Sequence, residues 1–136
     1  MSITSHVWEF FTRRIQECYP ECFVSKKDGK PRKIPSGEDA KWNQRFGQGL
    51  IADVRPEGTV RLLADGKNHE AEFARVNLDQ LKQEYGDRLS PNPGSDNHTS
   101  VTISTVAKTG GSANPQLIAD ELFVLFEEMY LRFRTE

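Results

Sequence analysis

Apolar residues recur at helical spacing near both ends of the chain. Val7, Trp8, Phe11, Ile15 and Cys18 fall on one side of such a helix, with Glu9, Arg13, Gln16 and Glu17 on the other, the pattern of an amphipathic helix with one face in a core. It predicts a helix over 5–19, with Ser5 as an N-cap whose hydroxyl accepts an orphan amide of the first turn. Pro20 stops it, and Cys22-Phe23-Val24 starts a short strand. At the other end, Asn114 is placed to cap and Pro115 suits the first helical position, so a second long helix runs from 115 to about 133. Ile118, Leu122, Leu125, Phe126, Met129 and Phe133 form its core stripe. Leu117, Phe123, Val124, Tyr130 and Leu131 extend the apolar surface well beyond what one small sheet requires.

Between the helices the period changes. Residues 50–55 and 59–64 flank Pro56-Glu57-Gly58, a loop in which proline fixes one turn position and glycine accepts a positive φ. Asp65-Gly66-Lys67-Asn68 is a further turn signal, and 69–76 reads as a third strand, giving a three-stranded antiparallel meander. Asn77 caps a short helix with Gln80 at the capping-box position, and Gly86 follows as its C-terminal glycine. The Pro/Gly/Ser-rich stretch at about 90–99 reads as a mobile loop. Residues 101–106 are rich in β-branched side chains and read as a strand.

Charge changes the picture in one place. Residues 25–45 carry seven cations against three acids, broken by Asp28-Gly29, Pro31, Pro35 and Gly37 into a basic loop anchored at Trp42. The 136-residue chain as a whole has 18 basic and 20 acidic residues, a net charge of −2, which argues against a general polyanion binder. No apolar run approaches the roughly 20 residues of a membrane span. The first residues lack the basic start and long apolar stretch of a secretory leader, so a cytoplasmic protein without membrane contact is expected.

Candidate chemistry is sparse. Lys26, Lys27, Lys30, Arg32 and Lys33, with Trp42 beside them, form the candidate anion- or nucleic-acid-binding group, since clustered cations contact phosphates and an aromatic ring can stack a base. Lys108-Thr109-Gly110-Gly111-Ser112 lies between a strand and a helix, where free amides attract anions, but its spacing is not that of a P-loop. Asp39, Lys41, Asp53 and Glu70 contain the residue types of a nuclease metal site without a forced second carboxylate. Neither a nucleophile elbow nor a cysteine-centred motif is present. Cys18 and Cys22 read as ordinary thiols, and His6, His69 and His98 show no metal-ligand spacing; no metal, cofactor or catalytic residue is assigned.

The expectation is therefore one α+β domain over residues 1–136. An antiparallel sheet of four to five strands, with a central three-stranded meander, is packed by an N-terminal and a long C-terminal helix. The expected function is a small non-catalytic binding or interaction module. Its surface would be Leu117, Phe123, Val124, Tyr130 and Leu131, and its partner another protein or a second copy in a homodimer. The alternative is a nucleic-acid-associated protein or nuclease-like enzyme that uses the basic loop.

Overall fold

A computed structural model describes residues 3–25, 28–33, 42–46, 50–64, 76–91, 100–106 and 114–134. The first helix, α1, spans Ile3–Cys18. It begins before Ser5, which lies inside the helix and is not its cap. Pro20 opens a short 3-10 turn, Pro20–Phe23, where sequence suggested a strand. Val24 then makes a single antiparallel bridge to Pro31, closing the first part of the basic segment into a small loop.

The sheet contains β1 (Trp42–Arg45), β2 (Leu50–Arg55), β3 (Thr59–Ala64), β4 (Leu89–Pro91) and β5 (Ser100–Ser104), in the order β1-β2-β3-β5-β4 and antiparallel throughout. The β2–β3 hairpin has the expected bounds. Gly58 sits at φ 106°, its amide donates to the Arg55 carbonyl at 3.0 Å, and Arg55 pairs with Thr59 across the loop. The meander is real but shifted one strand toward the N-terminus. Its third member is β1, within the segment expected to be a basic loop. On the other side β3 pairs with β5 from Thr59↔Ser104 to Leu63↔Ser100. Of the strand expected at 69–76 only Val76 lies within the described residues, and it is buried outside the sheet. Ser90 and Pro91, expected at the start of the loop at about 90–99, belong with Leu89 to an edge strand; proline is tolerated there because one side of the strand has no ladder partner among the described residues.

Helix α2 (Leu78–Tyr85) starts and stops as its sequence predicts. The Asn77 side chain accepts from the Gln80 amide, and Gly86, at φ 53°, donates its own amide to the Lys82 carbonyl. Helix α3 spans Pro115–Phe133, with the Asn114 side chain accepting from the amides of Gln116 and Leu117.

Alternation along the strands aims Leu50, Ala52, Val54, Val60, Leu62, Val101 and Ile103 at the helix layer, and all are fully buried. Helices α1 and α3 pack on each other above this face. An aromatic cluster joins the layers: Trp42 lies 5.9 Å from Phe11, 5.0 Å from Phe126 and 5.2 Å from Phe23. Aromatic pairs at such separations add to the burial of their large apolar surfaces.

Candidate functional site

The basic segment is the first group to place. Lys26 and Lys27 lie outside the described residues, as do Asp39, Lys41, His69, Glu70, His98 and the 108–112 stretch. Lys30 and Lys33 are exposed. Arg32 turns inward: its guanidinium donates to the Cys22 carbonyl at 2.8 Å, the Gln44 side-chain oxygen at 2.9 Å and the Asn43 carbonyl at 2.9 Å. It fastens the 3-10 turn to β1. Trp42, the expected stacking platform, is a core side chain, 3% exposed, with its ring faces against other aromatic residues. Of the four described members of the group, Lys30 and Lys33 are exposed while Arg32 and Trp42 are engaged within the fold.

Asp53 also has a structural setting. It lies on the sheet face away from the helices, almost fully buried, with one carboxylate oxygen 3.2 Å from Arg55 and 3.1 Å from Arg61. Two cations around one acid form an ion-pair cluster. Among the described residues no three His, Cys, Asp or Glu side chains gather to hold a metal ion, and no helix is long and apolar enough to cross a membrane. Cys18 is exposed and Cys22 buried, both free thiols. Burial raises the Cys22 thiol to about 11, which disfavours the reactive thiolate at neutral pH.

Helix α3 carries the most informative surface. Its apolar residues outside the core stripe divide into two sets. Phe123 and Tyr130 are buried on the α1 side: Tyr19 stacks on Phe123 at 6.3 Å and meets Tyr130 edge-on at 5.4 Å, while the Arg14 guanidinium covers Phe123 at 4.1 Å. These two therefore leave the expected interaction surface and join the fold. Leu117, Val124 and Leu131 remain exposed, by 43, 49 and 50%. They are spaced seven residues apart, which places them in one row along the outer face of α3.

Carboxylates line both sides of this row. At 100° per residue, Asp120 and Glu127 lie within about 60° of it on one flank, and Glu121 and Glu128 within about 60° on the other. Neighbouring elements tether them. Arg14 of α1 pairs with Asp120 at 3.3 Å, the Tyr19 hydroxyl donates to Glu127, and on the other flank the Tyr85 hydroxyl of α2 donates to Glu128. Arg132 continues that flank with a 2.9 Å pair to Glu84. The bond to Glu127, then burial, raises the Tyr19 phenol to about 12; burial, then the bond to Glu128, raises Tyr85 well above the ordinary tyrosine value. Both phenols therefore remain neutral donors at physiological pH, and they hold Glu127 and Glu128 in place.

Beside the row, a groove of about 640 Å³ runs between α3 and the end of α2. Val124, Leu125 and Val106 give it an apolar side, Glu84, Glu121 and Glu128 contribute acids, and Arg88 and Arg132 stand among them. Sequence patterning identified the apolar excess of α3. It could not divide that excess, because which residues α1 covers depends on the crossing of two helices about a hundred positions apart. Comparison with protein-family models, curated proteins and solved structures finds no match to this chain.

Proposed function

We propose that this protein is a non-catalytic interaction module that binds another protein through the outer face of α3. The observation that carries the reading is the exposed row Leu117, Val124 and Leu131. Single exposed apolar residues are ordinary on protein surfaces, but three in one line at heptad spacing form the kind of seam by which helices associate. The groove with Val106 at its side widens the same surface. The nucleic-acid reading is less well supported, because Trp42 offers no exposed ring and the Arg32 guanidinium already serves protein carbonyls.

Val124→Asp tests the proposal. Because Val124 is half exposed, the substitution is expected to leave stability within about 0.5 kcal/mol. Affinity capture from the native cell with wild type and variant side by side should show proteins retained by the first and lost from the second. A set of bound proteins indifferent to Val124→Asp would overturn the reading. Salt-sensitive binding to an oligonucleotide, abolished by Lys30→Glu with Lys33→Glu, would establish the alternative instead.

A further inference from the structure

We infer that the segment this surface accepts is a basic amphipathic helix of about four turns, supplied by a different protein. The inference rests on the interaction reading above and names its partner. Leu117 to Leu131 covers fourteen residues of rise, about 21 Å, which is the footprint of four helical turns laid alongside.

The flanks then decide the charge of the occupant. Asp120 and Glu127 border the row on one side, Glu121 and Glu128 on the other, and the uncharged Tyr19 and Tyr85 hydroxyls fix two of them. A helix presenting apolar residues to the row must place its own flanking positions over these four carboxylates. Lysine or arginine there meets an opposite charge already held in position, and glutamate or aspartate meets a like one. Arg14 and Arg132 pair with Asp120 and Glu84, and Arg88 and Arg132 share the groove with Glu121 and Glu128. Arg134 lies over Tyr130, and Glu121 is itself engaged within the chain. None of these arginines forms an ion pair with Glu127 or Glu128, the two carboxylates on which the charge preference chiefly rests.

The same geometry disfavours a second copy. Antiparallel pairing about Val124 sets like flanks together, with Glu121 of one chain over Glu128 of its partner and Asp120 over Glu127, and parallel pairing sets opposite flanks together, with Glu121 beside Asp120 and Glu128 beside Glu127. Either arrangement opposes carboxylates across an apolar contact only three residues long. Like charges so placed are a device against self-association, which removes the homodimer from first place among the occupants.

The test uses the full chain, isotopically labelled, and two synthetic four-turn peptides. Both repeat leucine every seven residues; one flanks it with lysine and the other with glutamate. The lysine peptide is expected to shift the amide resonances of 117–131 saturably, with affinity falling as salt is raised. The glutamate peptide should bind at least about tenfold more weakly. Glu121→Lys with Glu128→Lys should reverse that order, and Glu121→Lys alone serves if the double variant melts early.

Equal affinity for the two peptides overturns the basic-helix inference while leaving the module reading in place. So does failure of the lysine peptide when cellular capture still depends on Val124. Shifts located elsewhere than α3 overturn it as well. Self-association with rising concentration, abolished by Val124→Asp, names a second copy as the occupant and overturns it too. Capture indifferent to Val124→Asp removes the module reading itself.

Discussion

Arg32 stands in a run of cations, yet its three hydrogen bonds close on the Cys22 and Asn43 carbonyls and on Gln44. Nothing in its neighbours Pro31 and Lys33 distinguishes it from the solvated lysines, because the distinction is made by β1 ten residues later. Hydrogen bonds from a charged donor contribute more than neutral ones, and a partly buried acceptor left empty is costly. Arg32→Ala is therefore expected to destabilise the protein by about 1–3 kcal/mol in chemical denaturation. Arg32→Lys should recover less than half of that, since an ammonium lacks the planar fork, and Lys33→Ala should be neutral. The tyrosines give a second residue-scale prediction. All three are raised: Tyr19 to about 12 by its bond to Glu127 and burial, Tyr130 to about 12 mainly by burial, and Tyr85 higher still. Each phenol is neutral in both states below its ordinary value of 10.0. Between there and about 12 the unfolded chain ionises while the folded one resists, so these groups contribute stability below pH 10 that is lost as pH rises through 12. Tyrosinate absorbance should stay low at pH 10.5 in the folded protein and be more than half developed in the denatured chain; coincident titrations would refute the assignment.

Legibility at the scale of elements follows how local the information is. Asn114-Pro115 starts α3, and Asn77 and Gly86 bound α2, because a cap is a contact within one turn of chain. Pro56-Glu57-Gly58 defines β2 and β3 for the same reason. β1 has four residues, Trp-Asn-Gln-Arg, too few to show a period, and β4 has three. β5 is legible as a strand, but its place between β3 and β4 is not, since no local residue records a pairing forty positions away. The division of the α3 surface has the same origin, and it supports a paired prediction. Phe123→Glu puts a charge beneath Arg14 and Tyr19, where the aromatic ring is 3% exposed, and should destabilise by about 3–5 kcal/mol. Leu131→Glu changes a half-exposed position and should leave the melting temperature nearly unchanged. Equal effects on the two melts would mean that α1 does not cover the inner side of α3 as described. Asn114→Ala should cost about 1 kcal/mol by stranding two amides of the first turn.

On the scale of the whole molecule, the contacts that complete the fold are those that sequence reveals least. β3 lies at the centre of the sheet with β2 on one edge and β5 on the other, so the sheet cannot be completed before residue 104. α1 packs on α3, joining the two ends of the chain. Trp42 collects these links at one point, touching Phe11 of α1, Phe23 of the 3-10 turn and Phe126 of α3. A core assembled from such distant pieces has no obvious seam along which half of it could unfold alone, because removing either helix uncovers the aromatic cluster. The chain should then behave as one cooperative unit. Both tryptophans are buried, and Trp8→Phe leaves Trp42 as a single reporter. Its fluorescence, which follows the junction of helices and sheet, and far-ultraviolet circular dichroism, which follows all backbone structure, should give superimposable denaturation curves. A Trp42 transition that precedes the loss of helical signal would show the junction of helices and sheet opening while helical structure persists. That result would divide the chain into two folding units and end the single-domain description.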